Sequence, residues 1–233
     1  MRIETSEIYI CNLLDYSKQE IYELLNMFPI IPQKVQKKIS TIKNEQSKIR
    51  SIAAWLMFSF LSERYDYDTE KVAIGKYGKP YLQESNVNFN ISHSGQWVVI
   101  GFSNNRIGID VEEKELVNVH EVLSFFSSVN RKHIFSYGSD LKKAFKFFWS
   151  AKEARGKYVG TGLNDFWGRD VWQWEKDEWN KMKQFELDNG AALSICGEDN
   201  EILSYNVKIT GLGLKTLDRN SGEMMFVGMK GKM

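Results

Sequence analysis

The sequence Asn88-Phe89-Asn90-Ile91-Ser92-His93-Ser94-Gly95, continued by Trp97 to Phe102 and by Ile107-Gly108-Ile109-Asp110-Val111-Glu112, decides the fold. Asn88 to Ile91 alternates polar and apolar residues, as a half-buried strand does. Trp97 to Phe102 reads as a buried strand, and Asn104-Asn105 as a turn. Ile107 to Val111 reads as a third strand that collects acids at its end. Working outward, Gly75, Gly78 and Pro80 mark a loop before this block. Upstream, Ile49, Ile52, Ala53, Leu56, Met57, Phe60 and Leu61 recur at helical spacing, with Asn44 or Ser47 as cap. Downstream, helical material is expected around Val117 to Phe126. A strong helix is expected from about Ser139 to Tyr158, stopped by Gly160-Thr161-Gly162. Phe185 to Leu187, Ala191 to Cys196 and Ile202 to Ile209 read as strands, with Asp188-Asn189-Gly190 as a hairpin turn. From Gly211 onward the chain is rich in Gly, Lys and Met, has weak periodicity, and is expected to be poorly ordered.

Composition excludes several classes. The 233 residues hold 31 Lys+Arg against 30 Asp+Glu, a formal charge of +1. Such a balance lacks the basic excess of a nucleic-acid binder. A content of 42% hydrophobic and 13% aromatic residues supports a packed core and excludes disorder. The length suits one large domain or two of about 100 residues. Cys11 and Cys196 are the two cysteines, so no disulfide framework is implied, and a reducing cytoplasm is the expectation. The first residues carry acids where a signal peptide would be apolar. The apolar run Ile52 to Leu61 is too short for a membrane span.

Three clusters offer chemistry. Asp110 and Glu112, two apart on a strand, point to one face and suit Mg²⁺; a strand emerging into solvent explains them equally. Glu153 and Lys157 share a helix face with Trp149, as a ligand or base beside a phosphate-binding cation, or as an exposed ion pair. Gly156 between them points to a close approach inside the helix. Ser92-His93-Ser94-Gly95 offers a phosphate nest, or a polar turn that bonds its own backbone. A Ser-His hydrolase lacks its G-x-S-x-G elbow here.

Taken in order, Gly78-Lys79-Pro80, Phe89 to Ser94, Ile107 to Glu112, and Phe148-Trp149-Ser150-Ala151-Lys152-Glu153 with Lys157 resemble the 4′-phosphopantetheinyl transferases of the monomeric, surfactin-synthetase-activating (Sfp-like) type. The resemblance runs from about Lys34 to Ile209. It implies an α+β protein of two similarly built α/β halves in pseudo-twofold arrangement, with the active site at their junction. The halves are 1–105, on the coenzyme A 3′-phosphate and adenine side, and 106–210, with the metal site and carrier docking; 211–233 is a tail.

The implied reaction moves the phosphopantetheine arm of coenzyme A to a serine of an apo acyl or peptidyl carrier protein and releases adenosine 3′,5′-bisphosphate. By resemblance, Asp110, Glu112 and Glu153 match the Mg²⁺ ligands, with Glu153 also a base, and Lys157 matches the lysine beside the phosphates. His93 matches the histidine on the 3′-phosphate, within the turn that Ser92 opens. Lys34, Lys37 and Arg50 fall where further 3′-phosphate cations lie, and Lys79 and Pro80 where adenine is held. A monomer without nucleic-acid or membrane partners is expected, its carrier docking near Val117 to Phe126. Arg155-Gly156 departs from the usual apolar pair, and Trp167 to Trp179 matches no family pattern. The rivals are a metal-dependent nuclease, and a coenzyme A or carrier-binding module without catalysis.

Overall fold

A computed structural model describes residues 5–113, 122–123, 126–136, 138–162 and 180–220. Most of Val117 to Phe126, all of Trp167 to Trp179, and 221–233 lie outside the described residues.

The chain opens with a strand, β1 (Ser6–Asn12). Three helices follow: α1 (Lys18–Asn26), α2 (Gln33–Ser40) and α3 (Glu45–Phe60). Ser17 and Glu20 form a reciprocal capping box at the start of α1. The Asn44 side chain caps α3 by accepting from the Ser47 amide at 2.9 Å. A single turn, α4 (Ser62–Tyr65), leads to a small hairpin of β2 (Val72–Ile74) and β3 (Pro80–Leu82). The loop expected at 75–80 is the turn of this hairpin. Then come β4 (Asn88–Ser94), β5 (Trp97–Ser103) and β6 (Ile107–Glu112). The second part holds α5 (Ser128–Phe135), α6 (Leu141–Val159), β7 (Met182–Glu186), β8 (Ala192–Gly197), β9 (Ile202–Thr210) and β10 (Gly213–Asn220).

The larger sheet has the order β10-β9-β1-β5-β4, and the smaller one β6-β8-β7. In the larger sheet β1 pairs antiparallel with β5 (Ile10↔Val99) and parallel with β9 (Ile8↔Ser204). Alternate residues of β1 serve different cores, as strand geometry requires. Tyr9 and Cys11 face the cluster built with α1–α3, whereas Ile8 and Ile10 face Ile107, Ile109, Val111, Leu193 and Ile195 of the smaller sheet. The other face of the smaller sheet meets α6 through Phe145, Phe148, Ala151 and Cys196. The order is therefore helices, large sheet, small sheet, helix. The result is a mixed α/β architecture, as the sequence implied.

Two expectations change. Residues 213–220 are not an unstructured tail: β10 pairs antiparallel with β9 from Gly213↔Thr210 to Asn220↔Ser204. An edge strand with exposed residues shows little periodicity, which is why the sequence hid it. Ile202–Thr210, assigned by sequence to the second half, lies in the sheet of the first, beside β1.

Candidate active site

The site is built where α6 lies on β6. A Cβ placed on Gly108 would come within 2.1 Å of the Ala154 carbonyl oxygen and 2.3 Å of the Tyr158 amide. Only a strand residue without a side chain lets the helix backbone settle this close. A second glycine finishes the helix: Gly156 is buried, and a Cβ there would meet the Gly162 carbonyl oxygen at 2.4 Å as the chain folds back. The Gly162 amide donates to the Gly156 carbonyl. The close approach that Gly156 suggested is this return of the chain. Gly160 ends α6 with a left-handed φ of 88°.

This packing brings the two acid clusters together. Lys157 Nζ donates to Asp110 Oδ1 at 2.7 Å and to Ser92 Oγ at 3.0 Å. Asp110 is 4% exposed, and its Oδ1 also accepts from Ser92 Oγ at 2.9 Å. Its second oxygen, Oδ2, is buried without a hydrogen-bond partner. Glu112 Oε2 accepts from Ser94 Oγ at 3.0 Å. Glu153 stands one helical turn before Lys157. Burial, followed by the charge of Asp110, pushes the Glu112 carboxyl up to about 7. Burial and then Asp110 also raise Glu153, against Lys157. Asp110 is raised by its own burial, opposed by Lys157 and Ser92. The acids thus repel one another in a desolvated place, with Lys157 as their shared cation.

These residues fit a hard divalent cation. All the donors are oxygens, the orphaned Asp110 Oδ2 lacks a proton donor, and a cation would relieve the mutual repulsion. Among the described residues no three acid, histidine or cysteine groups gather as a ready-made metal cage.

A second, basic group lies on the adjoining strand and helix. Burial, with the Arg50 and Lys157 charges, lowers His93 to about 4, so it is neutral at pH 7. Its Nε2 lies 3.3 Å from Ser51 Oγ. Arg50 is buried on α3; it donates to the Gly95 carbonyl at 3.0 Å and to Ser47 Oγ at 2.9 Å, while its Nε is buried without a partner. A cavity of about 240 Å³ lies beside the last turns of α6; its lining includes Lys79, Pro80, Asn90, Glu153, Gly156 and Lys157. Lys79 Nζ donates to the Ile107 carbonyl at 2.9 Å, and burial, then Arg106, lowers it to about 8. Lys34 and Lys37 are exposed on α2, opposite its buried Val35 and Ile39, and no ion pair joins them to a described residue.

The structure therefore unites Ser92, Asp110, Glu112, Glu153 and Lys157, sets His93 and Arg50 together, and puts Lys79 and Pro80 in the cleft with Glu153 and Lys157. It gives Lys34 and Lys37 no partner in the site. Sequence reasoning missed Asn90 and Ser94. Their signal was the polar residues at 90, 92 and 94, which the sequence divided between a strand and a Ser-His-Ser-Gly turn, whereas β4 runs on to Ser94; Asn90 is 2% and Ser92 7% exposed.

Comparison with known proteins agrees with this geometry. Residues 106–211 match the family model of the 4′-phosphopantetheinyl transferase superfamily, and 18–105 the model of the 4′-phosphopantetheinyl transferase N-terminal domain. The chain is 30% identical to 4′-phosphopantetheinyl transferase Sfp of Bacillus subtilis over 139 residues, 58% of this chain and 62% of that protein. It is 33% identical to 4′-phosphopantetheinyl transferase ffp of Bacillus subtilis over 113 residues, 47% of this chain and 50% of that protein. With the L-aminoadipate-semialdehyde dehydrogenase-phosphopantetheinyl transferase of Candida glabrata it shares 27% over 209 residues, 82% of this chain and 79% of that protein. The match thus spans less than two thirds of either Bacillus relative. With both models meeting at the strand that carries Asp110 and Glu112, the chain belongs to the 4′-phosphopantetheinyl transferase superfamily, in its Sfp-like branch.

Proposed function

We propose that the protein transfers the 4′-phosphopantetheine group of coenzyme A to a serine of an apo acyl or peptidyl carrier protein and releases adenosine 3′,5′-bisphosphate. The observation that carries this reading is the Asp110 carboxylate, bound at Oδ1 by Lys157 and left with a buried, unpartnered Oδ2, where Lys157 itself lines a cleft with Lys79 and Glu153. In the reaction the serine oxygen bonds to the β-phosphorus of the diphosphate, and the bond from that phosphorus to the bridging oxygen breaks. The serine proton leaves to Glu153, whose raised affinity for protons suits a base. Lys157 faces the charge that develops on the phosphate oxygens. A Mg²⁺ held by Asp110, Glu112 and Glu153 would supply charge neutralisation on the diphosphate. His93 and Arg50, with Lys34 and Lys37 at longer range, meet the 3′-phosphate; Lys79 and Pro80 flank the adenine, and Ser92 closes the phosphate side. No side-chain nucleophile is needed, because positioning and charge carry phosphoryl transfer.

The division of labour between 1–105 and 106–210 is supported by the meeting of the two family matches at 105 and 106. We assign the enzyme to the cytoplasm as a monomer. Both cysteines are buried, and no described helix is long and apolar enough to cross a membrane. The test is to incubate the protein with coenzyme A, Mg²⁺ and several apo carriers, then weigh each carrier. A gain of one phosphopantetheine group supports the reading, and unchanged mass on every carrier rejects it.

A further inference from the structure

The larger and smaller sheets meet along β4 and β6, and side chains make the join. Alternate amides of a strand point to opposite edges, so β6, paired with β8 on one side, turns a second row of N–H groups toward β4. Buried amides need acceptors. Asn90, Ser92 and Ser94 lie on one face of β4 and supply them. The Ile109 amide donates to Asn90 Oδ1 at 2.7 Å, the Val111 amide to Ser92 Oγ at 3.3 Å, and the Glu113 amide to Ser94 Oγ at 3.2 Å. Each contact spans the same 19 residues, so this is a register and not a scatter of bonds.

The serines do more than accept. Ser92 Oγ takes the Val111 amide and donates its proton to Asp110 Oδ1; Ser94 Oγ takes the Glu113 amide and donates to Glu112 Oε2. Each hydroxyl thus holds a carboxylate and the amide that follows it. With the Lys157 ammonium added, the Ser92 oxygen has a full complement of one donation and two acceptances. One carboxylate oxygen of each acid is pinned, and Asp110 Oδ2 is left buried without a hydrogen-bond partner. Below this point Glu113 Oε2 accepts the Gln96 amide and its Oε1 the Asn189 side chain, which locks the end of the strand.

We infer that Asn90 and Ser94, with Ser92 between them, are positioning residues for phosphopantetheinyl transfer: they set the register of β6 against β4 and aim the carboxylates of Asp110 and Glu112. The inference rests on the function proposed above. Partners that orient ligand carboxylates are worth about 10–100-fold in metal affinity or activity.

The test compares wild type with Ser94→Ala, Ser94→Thr and Asn90→Ala. Mn²⁺ binding is measured by electron paramagnetic resonance without coenzyme A, and kcat and KM for coenzyme A are measured separately. Ser94→Ala and Asn90→Ala should bind Mn²⁺ roughly 10–100-fold more weakly and lose kcat, with KM for coenzyme A unchanged. Ser94→Thr, which keeps the hydroxyl, should recover both. Wild-type Mn²⁺ affinity and kcat in both alanine variants, with only a lower melting temperature, would overturn the inference. So would a threonine variant no better than alanine. Ser94 ends β4 and is partly exposed, so its variants keep a folded chain to measure. A wild-type protein that binds Mn²⁺ but loads no carrier sinks the proposed function, while the Mn²⁺ comparison still decides the positioning role. A wild-type protein that binds no Mn²⁺ without coenzyme A overturns the positioning inference, while carrier loading alone decides the proposed function.

Discussion

Replacing Gly108 by alanine probes the one contact on which the site's geometry depends. The new Cβ would sit 2.1 Å from the Ala154 carbonyl and 2.3 Å from the Tyr158 amide, where ordinary contact begins at 3.4 Å. Both obstacles are helix backbone, so neither can swing aside. Closing the gap from 2.1 to 3.4 Å needs α6 to retreat by about 1.3 Å. The Lys157–Asp110 bond, now 2.7 Å, would then open to about 4 Å and cease to be a hydrogen bond. Overpacking of this kind costs about 1–3 kcal/mol. For a chain of this length that lowers the melting temperature by roughly 2–12 °C. A displacement near 1 Å is worth on the order of 100-fold in rate. Thermal unfolding followed by circular dichroism, together with carrier loading measured below the transition, gives both quantities. A Gly108→Ala protein with wild-type melting temperature and wild-type loading would refute the claim that direct helix-on-strand contact sets the site.

Further outcomes follow from the same geometry. Asp110→Ala should abolish transfer while circular dichroism still shows a folded chain; near-normal turnover would reject the acid's role. His93→Ala should weaken binding of coenzyme A but leave its 3′-dephospho form unaffected, which isothermal titration calorimetry reads directly; equal loss for both ligands would reject a 3′-phosphate contact. His93 also predicts a pH effect on stability. Its folded value of about 4 lies below the ordinary 6.5, so between these pH values the unfolded chain binds a proton that the folded chain does not. Stability should therefore be undiminished by this group above pH 6.5 and decline as pH falls toward 4, by up to about 3 kcal/mol. Denaturant titrations of wild type and His93→Asn should show that decline shrinking in the variant; parallel curves would contradict it.

Much of the architecture was legible because it is local. The apolar spacing of α3, the glycine stop after α6, and the strands β5 and β6 each follow from a few neighbouring residues. The capping box Ser17-x-x-Glu20 and the helix it opens went unread. The rest of what escaped was long-range. Nothing near Ile202–Thr210 reveals that this strand pairs with Ser6–Asn12, at the opposite end of the described chain. Residues 92 to 94 read as a turn, and only the neighbouring strand shows that 90, 92 and 94 form one face supplying acceptors to β6. Among the site residues, Asp110, Glu112, Glu153 and Lys157 were found because a strand and a helix each give a fixed spacing. Lys34 and Lys37 had only a basic neighbourhood to recommend them, and a charged stretch says little about where its side chains point.

The central claim is that the acids around Lys157 move a phosphopantetheine group with a divalent cation. It is met most directly by one measurement: the intact mass of an apo carrier after incubation with coenzyme A, run with Mg²⁺ and with excess chelator, for wild type and for Asp110→Asn. The account predicts a gain of one phosphopantetheine group for wild type with Mg²⁺ alone, and none in the other three reactions. Equal gains with chelator, or in Asp110→Asn, would contradict it.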